Sequence, residues 1–250
     1  MDRETQDKKL VLEQVAQRYD PSSPENTFDY WFVRLGFETL KNFLKGDQVL
    51  EMGCATGLMT SLLVDVVRKL TVVEGSQQNI RKAQLRVGEK KAKVQWFHSL
   101  WEDFEPPNTF SDIILAGALE HVEDPILILK RVRSWLKPQG RAHIIVPNAK
   151  SLHRRVGVYM GILKSIYDFS DSDKLLGHQR LYDKELLFEH LHESGFTVLH
   201  WQGILLKPLS NAQMQGWSES LIRALYQVGL ELPDYCGEIY VCAIPSESLR

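Results

Sequence analysis

The chain has 250 residues, of which 44 % are hydrophobic and 25 % are charged. This length and composition are typical of a soluble globular protein with one large domain, or one domain and a cap, and argue against a disordered or fibrous chain. The 30 basic and 32 acidic residues leave a formal net charge of −2, which gives no general support for nucleic-acid binding.

The cysteines and the first residues indicate the cellular compartment in which the protein is expected. Cys54, Cys236 and Cys242 form neither a CxxC pair nor an even-numbered set, so the sequence favours a reducing compartment. The opening segment, MDRETQDKKL, is charged and lacks the apolar core of a secretion signal. No apolar run approaches the ~18 residues that a transmembrane helix requires. We therefore expect a cytoplasmic monomer or homodimer that does not bind a membrane.

Two helices are predicted before the first strand. Apolar spacing predicts a helix from about Glu4 to Tyr19, which ends at the breaker Asp20–Pro24, and a second helix from Phe28 to Leu44. We interpret residues 1–44 as an N-terminal helical cap. Tyr30 either closes over the site or packs the cap, and it is a candidate substrate-binding residue.

Predicted strands and helices alternate after this cap. Strands are predicted at 48–52, 70–74, 93–98, 112–116, 141–147, 196–203 and 237–244, and helices at about 57–67, 76–88, 125–136 and 183–194. The alternation with short loops predicts an α/β fold whose mostly parallel sheet is covered by helices on both faces. Residues 45–250 would form this domain, with lid insertions at 148–182 and 205–235.

A turn of small residues follows the first strand. The stretch from Val49 to Thr60 reads VLEMGCATGLMT, and the next strand ends on an acid, Glu74. Strand, glycine turn, helix, strand and acid is the layout of a nucleoside-binding βαβ unit. The glycines let the backbone pass close to the ligand, and a carboxylate at the tip of the second strand can accept both ribose hydroxyl protons.

Two details of this turn argue against a dinucleotide. Aligned on G-x-G-x-x-G from Gly53, the second and third glycines become Ala55 and Leu58, so the close approach of a pyrophosphate and tight helix packing are lost. In addition, Glu51 precedes Gly53 by two residues. A carboxylate there would repel a pyrophosphate and would suit a ligand that carries an ammonium and a sulfonium.

The pattern Glu51-x-Gly53-x-Ala55-x-Gly57 resembles the first motif, [D/E]-x-G-x-G-x-G, of the class I S-adenosylmethionine (SAM)-dependent methyltransferases. The resemblance covers about 45–147 closely and 183–244 loosely. It implies a seven-stranded, Rossmann-like sheet whose last strand is antiparallel and lies beside the fifth. It also implies SAM as the cofactor and S-adenosylhomocysteine (SAH) as the product.

The resemblance implies a cofactor site at the ends of the first four strands. By similarity, the turn 53–57 faces the methionine part of SAM, and Glu74 holds the ribose. Related enzymes place an acid near Leu100 to accept from the adenine; leucine cannot do so, and Trp101 or Glu102 would take over. Trp101 is either an adenine wall or ordinary core. The candidate cofactor-binding residues are Glu51, Gly53, Cys54, Ala55, Gly57, Glu74, Gly75, Leu100, Trp101, Glu102 and Glu120.

A second motif follows the fourth strand. The phrase LEHVEDP, from Leu119 to Pro125, is frequent in the ubiquinone-biosynthesis-like subset of these enzymes. Asp124 and Pro125 fit a helix start. His121 would lie beside the transferable methyl, where it is either a general base or a residue that only shapes the pocket.

The first insertion contributes further candidates. Residues 151–167 are compatible with a helix that has a basic side and is predicted to be part of a lid. The phrase GHQRLY, which begins at Gly177, resembles phrases of small-molecule and sugar-modifying relatives. By this resemblance His178 would act on the acceptor, and Arg180 and Tyr182 would bind it; the alternative is that this loop is an anchor before the next helix. No metal site is predicted, although acids in 168–174 offer oxygen ligands.

The sequence thus predicts a SAM-dependent methyltransferase that transfers a methyl group to an oxygen or nitrogen of a small metabolite, such as a sugar or natural product. Its expected partner is this small-molecule acceptor and not a nucleic acid. An RNA or a quinone-like acceptor is the alternative within the class. The alternatives outside it are a non-catalytic SAM-binding regulatory module and a NAD enzyme.

Overall fold

A computed structural model of the protein describes residues 10, 12–14, 16, 17, 20–25 and 27–246. Its strands are β1 (Gln48–Met52), β2 (Lys69–Glu74), β3 (Val94–His98), β4 (Phe110–Ala116), β5 (Leu136–Pro147), β6 (Phe196–Leu206) and β7 (Cys236–Pro245). They form one sheet in the order β3-β2-β1-β4-β5-β7-β6. Strands β1 to β5 are parallel, and β7 runs antiparallel to β5 and β6. The predicted Rossmann-like sheet, with its last strand antiparallel beside the fifth, is confirmed.

Helices connect these strands. They are α1 (Asp29–Leu40), α2 (Leu58–Leu63), α3 (Gln77–Val87), α4 (Pro125–Trp135), α5 (Leu152–Tyr159), α6 (Asp171–Leu176), α7 (Lys184–Glu193), α8 (Asn211–Met214) and α9 (Glu219–Glu231). Residues 10, 12–14, 16 and 17 are also helical, and the rest of the helix predicted from Glu4 to Tyr19 lies outside the described residues. None of the described helices is long and apolar enough to cross a membrane.

Alternating side chains of the strands pack in two apolar layers, one on each face of the sheet. On β1, Leu50 and Met52 pack with α4 and α7, whereas Val49 packs with α1, α2 and α3 on the other face. All three side chains are fully buried. Because successive residues of a strand point to opposite faces, a strand that is apolar on both sides is covered on both sides. Helix α1 contributes an aromatic stripe to the second layer and is therefore part of the core.

Side-chain caps fix the helices that begin at the carboxyl edge of the sheet. Ser76 Oγ accepts from the backbone N–H of Asn79 at the start of α3. Asp124 Oδ1 accepts from Leu127 N at 2.9 Å, and Pro125 occupies the first turn of α4. This confirms the predicted helix start. Such caps satisfy N–H groups that have no partner within the helix, and they define where each helix begins.

The first insertion differs from its prediction. Residues 151–167 do not form one helix, because α5 ends at Tyr159 and Gly161 follows in a left-handed conformation with φ of 72°. Arg154, one of the basic residues of this segment, is buried, and its Nη1 lies 3.1 Å from Asp173 Oδ2 in α6. This ion pair ties the two short helices of the insertion together, which the spacing of charges in the sequence does not reveal.

Candidate active site

The order of the strands determines where a ligand can bind. From β1 the chain proceeds outward to β2 and β3, and it then returns to β4 on the other side of β1. The helices that follow β1 and β4 lie on opposite faces of the sheet, so a crevice opens outside the carboxyl ends of these two strands. Ligands of open α/β sheets bind in this crevice. The turn 53–57 and the phrase at 119–125 follow these two strands. The structure therefore brings the two strongest sequence signals to one edge of the sheet.

The turn after β1 is held in a conformation that favours glycine. Gly53 and Gly57 have φ of 84° and 81°, and Ala55 has φ of 44°. A Cβ on Gly57 would lie 2.5 Å from the Cα of Ala83 in α3, so a side chain there would push the helices apart. A Cβ on Gly53 would lie 3.0 Å from Cζ2 of Trp101. The indole therefore covers the turn from the β3 side. The sequence left open whether Trp101 is an adenine wall or an ordinary core residue.

The carboxylate of Glu74 organises the same turn. Its Oε2 accepts from the backbone N–H of Cys54 at 3.0 Å and of Ala55 at 3.2 Å, and its Oε1 accepts from Ser76 N at 2.8 Å. Burial raises the pKa of Glu74, and these three N–H donors oppose the rise. The carboxylate thus links the tip of β2 to the turn after β1. Its expected contact with a ribose remains a prediction.

Glu51 is a buried carboxylate without a partner. It is 2 % exposed, and neither of its carboxylate oxygens has a hydrogen-bond partner among the described residues. Burial raises its pKa to about 8; the nearby hydroxyl of Thr60 opposes this rise, and the charge of Glu74 adds to it. A buried polar group normally finds a partner because leaving it unpaired is costly. Glu51 thus has the property expected of a group that binds a cationic ligand at this turn.

The adenine side of the candidate site is apolar. Leu100 is buried and lies directly beside Gly75: a Cβ on Gly75 would be 3.3 Å from Leu100 Cδ2. Glu102 is partly exposed in the turn that follows β3. Cys54 is buried, consistent with a small residue inside the turn. These positions surround the tip of β2, as the sequence analysis expected, and their roles in binding remain predictions.

One carboxylate and two imidazoles meet beyond β4. Glu120 is 2 % exposed, and its Oε2 has no partner among the described residues. The rings of His121 and His178 meet edge to face with centroids 4.8 Å apart. One ligand atom from each of these three residues lies within 4.8 Å of the others. Sequence reasoning treated the two histidines separately, and the structure brings them together with Glu120 into a single cluster.

Burial controls protonation within this cluster. It raises the pKa of Glu120 to about 7. Burial and the charge of His178 together lower the pKa of His121 to about 4, against opposing hydrogen bonds to the backbone of Gly177 and Leu176. At neutral pH the His121 imidazole is therefore unprotonated. A neutral imidazole beside a carboxyl group that titrates near pH 7 can accept a proton, and the same atoms are suitable ligands for a divalent cation.

The loop before α7 holds His178 in place. His178 Nδ1 lies 3.1 Å from Asp173 Oδ1. Burial opposes ionisation of Asp173, but His178, Ser170 and Arg154 together hold its pKa below the usual range. This contact is an ion pair without hydrogen-bond alignment, and the loop is also held by the backbone N–H of His178, which donates to the carbonyl oxygen of Asp173 at 2.9 Å.

Arg180 and Tyr182 have structural partners. The guanidinium of Arg180 donates to the backbone oxygens of Leu119, Val122 and Glu123, which join the loop to the segment after β4. Tyr182 is fully buried, and its hydroxyl lies 3.1 Å from Nδ1 of His190. These contacts favour the loop-anchoring interpretation that the sequence left open. Tyr30 is half-buried and packs edge to face on Trp31.

Sequence reasoning did not connect Lys207, which is buried, with the partly buried carboxyl groups of Asp29 and Glu238. Burial raises the pKa of Glu238, at the start of β7, to about 8 and lowers that of Lys207, just after β6, to about 8. Asp29, at the start of α1, interacts electrostatically with both. Lys207 Nζ also lies 5.6 Å from the centre of the Phe32 ring. The available signal was a lone acid in the otherwise apolar segment CGEIYVCAIP.

Comparison with known proteins agrees with this geometry. A family model described as a methyltransferase domain matches residues 14–201. The ubiquinone biosynthesis O-methyltransferase of Xanthomonas campestris pv. campestris strain B100 is 30 % identical over 110 residues, which are 43 % of this chain and 46 % of that protein. The chain thus spans about half the length of that curated relative. The protein of the same name from Idiomarina loihiensis is 26 % identical over 207 residues, covering 81 % of this chain and 82 % of that one.

A solved structure shares the fold. The N-methyltransferase NodS from Bradyrhizobium japonicum WM9, in complex with SAH, superposes with a TM-score of 0.63 and 16 % identity, over 96 % of this chain and 98 % of that one. The sheet order and the edge that carries the candidate site define a class I methyltransferase fold. Since the family model covers most of the chain, the protein belongs to the SAM-dependent methyltransferase family.

Proposed function

We propose that the protein transfers a methyl group from SAM to an oxygen or nitrogen atom of a small polar metabolite. The observation that carries this proposal is the unpartnered, buried carboxylate of Glu51 beside the glycine turn. A site for an anionic dinucleotide would not place a carboxylate there, whereas a ligand with an ammonium and a sulfonium would give it a partner. Membership of the methyltransferase family supports the same conclusion.

The residues around the turn fit SAM. Glu51 would neutralise its positive groups, the turn 53–57 would allow close approach of its methionine part, and Glu74 would accept from its ribose. Bound SAM would supply a methyl group on a positively charged sulfur. A lone pair of the acceptor would form the new bond to the methyl carbon as the bond from carbon to sulfur breaks and SAH leaves. What the protein contributes is alignment of the two reactants and exclusion of water.

The cluster of Glu120, His121 and His178 would serve the acceptor. It lies beyond the end of β4, on the same edge of the sheet as the turn. An acceptor hydroxyl or ammonium must lose a proton when it is methylated, and Glu120 or the neutral His121 can take that proton. His178, oriented by Asp173, would hold the acceptor or pass the proton onward. Methylation by alignment alone is the competing mechanism.

Charge favours a polar, small acceptor. Lys207 is buried and Asp29 and Glu238 are partly buried, and together these side chains offer hydrogen-bond donors and acceptors, which suits an acceptor with several polar groups. The net charge of −2 gives no support for RNA. The names of the curated relatives favour a quinone-related acceptor and oxygen methylation, whereas NodS, which shares the fold, is an N-methyltransferase. Identification of an acceptor that reacts will show whether the methylated atom is oxygen or nitrogen.

The experiment that tests the proposal is calorimetric titration of the protein with SAM, SAH and NAD, beside the Glu74→Ala variant. We expect micromolar binding of SAM and SAH and at least tenfold weaker binding by the variant, because a charge-assisted hydrogen bond contributes about 1.5–3 kcal/mol. Binding of NAD in preference to SAM would refute the proposal. Unchanged SAM affinity in the variant would refute the role of Glu74.

A second measurement separates the enzyme from a regulatory module. Incubation with methyl-labelled SAM and a panel of phenolic, sugar and amine acceptors should give SAH and a labelled product. SAM binding without SAH formation from any acceptor would favour the non-catalytic alternative.

A further inference from the structure

Gly75 has no side chain, and it lies where the base of a nucleoside would extend from a ribose bound at Glu74. Gly75 follows Glu74 directly, and its backbone conformation is one that other residues adopt. A Cβ on Gly75 would lie 2.4 Å from Cδ1 of Leu12 and 3.3 Å from Cδ2 of Leu100. Leu12, from the amino-terminal helical segment, therefore fills the space that a side chain at position 75 would take.

Polar contacts hold this amino-terminal segment on α3. Glu13 Oε1 accepts from the backbone N–H of Gln77 at 2.7 Å, and its Oε2 accepts from Ser76 Oγ at 2.9 Å. These donors belong to the first turn of α3, where N–H groups have no partner within the helix and a carboxylate is favoured. Lys82 Nζ donates to the carbonyl oxygen of Ala16 at 2.6 Å. The segment is thus fixed by contacts at both of its described ends.

Leu12 has an unusual position for a residue of the amino terminus. It lies beside the tip of β2 together with Leu100, the residue expected near the adenine. A base attached to a ribose at Glu74 would have to pass between the ends of β2 and β3, where the polar partner expected at position 100 is replaced by leucine. Apolar side chains provide the contact area for a flat aromatic ring.

We propose that Leu12 is a cofactor-binding residue: with Leu100 it forms the apolar wall against the adenine of SAM, in place of the side chain that Gly75 lacks. Glu13 is a positioning residue, because it holds Leu12 at the tip of β2 through the first turn of α3. This inference rests on the proposed function, since it places the SAM nucleoside at Glu74. It predicts that base affinity depends on a segment far from the glycine turn in the sequence.

The test is titration of the full chain with SAH, comparing wild type, Leu12→Ala, Gly75→Leu and the double variant. Leu12→Ala should weaken SAH binding about tenfold, because apolar contact with the base is lost. Gly75→Leu alone should also weaken it, because the new side chain would collide with Leu12. The double variant should recover most of the affinity, since the leucine at position 75 then occupies the space that Leu12 has left.

Two further variants make the result specific. Leu10→Ala lies in the same segment, where Leu10 is 59 % exposed, and should leave SAH affinity unchanged. Glu13→Gln keeps the size of the side chain but removes the charge at the first turn of α3; we expect SAH binding to weaken severalfold. Thermal unfolding of each variant reports whether it is folded. If Leu12→Ala does not fold, Glu13→Gln serves as the test in its place.

The outcomes separate this inference from the proposed function. If wild type binds SAH and Leu12→Ala binds it equally well, Leu12 does not contact the base and the inference is wrong. If Leu12→Ala binds SAH more tightly, the segment competes with the cofactor, which also overturns it. Weakening without recovery in the double variant would mean that Leu12 only stabilises the fold. If wild type does not bind SAH, the proposed function itself fails together with the inference.

Discussion

Two groups of buried ionisable side chains lie at opposite ends of the same parallel strands. At the amino end, His143 Nε2 lies 3.0 Å from Asp112 Oδ1, and its Nδ1 lies 2.9 Å from the Tyr240 hydroxyl. At the carboxyl end, Glu51 and Glu120 have buried oxygens without a partner among the described residues. The first group is satisfied within the chain and the second is not.

This difference separates groups that stabilise the fold from groups that await a ligand. Asp112 also accepts from the backbone N–H groups of Lys45 and Gly46, so both of its oxygens are paired. A satisfied buried network contributes to stability and is complete without a ligand. An unsatisfied one costs stability and is retained where it has a functional role. The residue types alone, an acid beside a histidine, would suggest catalysis at both ends.

The largest effect is expected at the satisfied end. His143→Ala removes one partner of Asp112 and of Tyr240 and leaves a cavity, so the free energy of unfolding should fall by about 3 kcal/mol. Burial lowers the pKa of His143, so its contribution is complete above about pH 6.5 and is lost as the pH falls below that value. Urea unfolding at pH 5 and pH 8 measures both effects.

The matched control is His192→Ala, on the exposed side of α7. It should leave stability within about 0.5 kcal/mol of wild type. If folded His143→Ala loses turnover while keeping its stability, the assignment of this network to the fold is wrong.

The next effect concerns turnover. If Glu120 and His121 accept the proton of the acceptor, Glu120→Gln and His121→Ala should each lower kcat about 100-fold, and His121→Ala should leave SAM affinity unchanged. Because burial raises the pKa of Glu120 to about 7, kcat should rise with pH through this value in wild type, and this rise should be absent in Glu120→Gln. Initial rates from pH 5.5 to 9 with one identified acceptor provide the measurement.

Two results would revise that role. An unchanged kcat in His121→Ala would mean that the histidine only shapes the pocket and that alignment carries the reaction. Loss of wild-type activity in EDTA, restored by Mg²⁺ or another divalent cation, would assign the three clustered side chains to a metal ion, which the sequence did not predict.

The sequence predicted the fold, and the turn after β1, for a physical reason. Strands β1, β2 and β4 are short apolar runs with local turn signals, and the motif at 51–57 requires its conformation locally. By contrast, the ion pair of Arg154 with Asp173, and the approach of His178 to His121, join residues that only the tertiary structure brings together. The raised pKa of Glu238 depends on what covers β7. Such contacts carry no local pattern.

A third prediction concerns the unpartnered carboxylate. Since burial raises the pKa of Glu51 to about 8, the ligand-free folded state binds an extra proton between about pH 4.5 and 8, and stability falls as the pH rises through this window. Glu51→Gln removes this loss and should stabilise the ligand-free protein at pH 7 by on the order of 2 kcal/mol, while SAM binding weakens at least tenfold.

Glu89→Gln, at an exposed position before β3, is the matched control and should change neither quantity. Chemical unfolding and calorimetry on the same samples test both predictions for Glu51. Destabilisation of Glu51→Gln at pH 7, with SAM affinity retained, would show that the carboxylate has a structural partner and belongs with the satisfied group.

The smallest effect concerns the backbone of the turn between these carboxylates. Ala55 has φ of 44°, and Gln139, in an exposed stretch of β5 far from the site, has φ of 60°. A left-handed conformation costs a residue with a Cβ about 1–2 kcal/mol, and glycine avoids this cost but loses about 0.5–1 kcal/mol of chain entropy on folding. Ala55→Gly and Gln139→Gly should therefore each raise the free energy of unfolding by up to about 1 kcal/mol.

The two glycine variants should differ only in binding. Because the N–H of Ala55 donates to Glu74, relaxing this residue moves a donor of the candidate cofactor site, whereas position 139 has no connection with it. We expect SAM affinity to change by less than about threefold in Ala55→Gly and not at all in Gln139→Gly. A large loss of affinity in Ala55→Gly alone would mean that the left-handed alanine is required to present the turn to the cofactor, so that its strain serves binding in the same way as the unpartnered carboxyl group of Glu51.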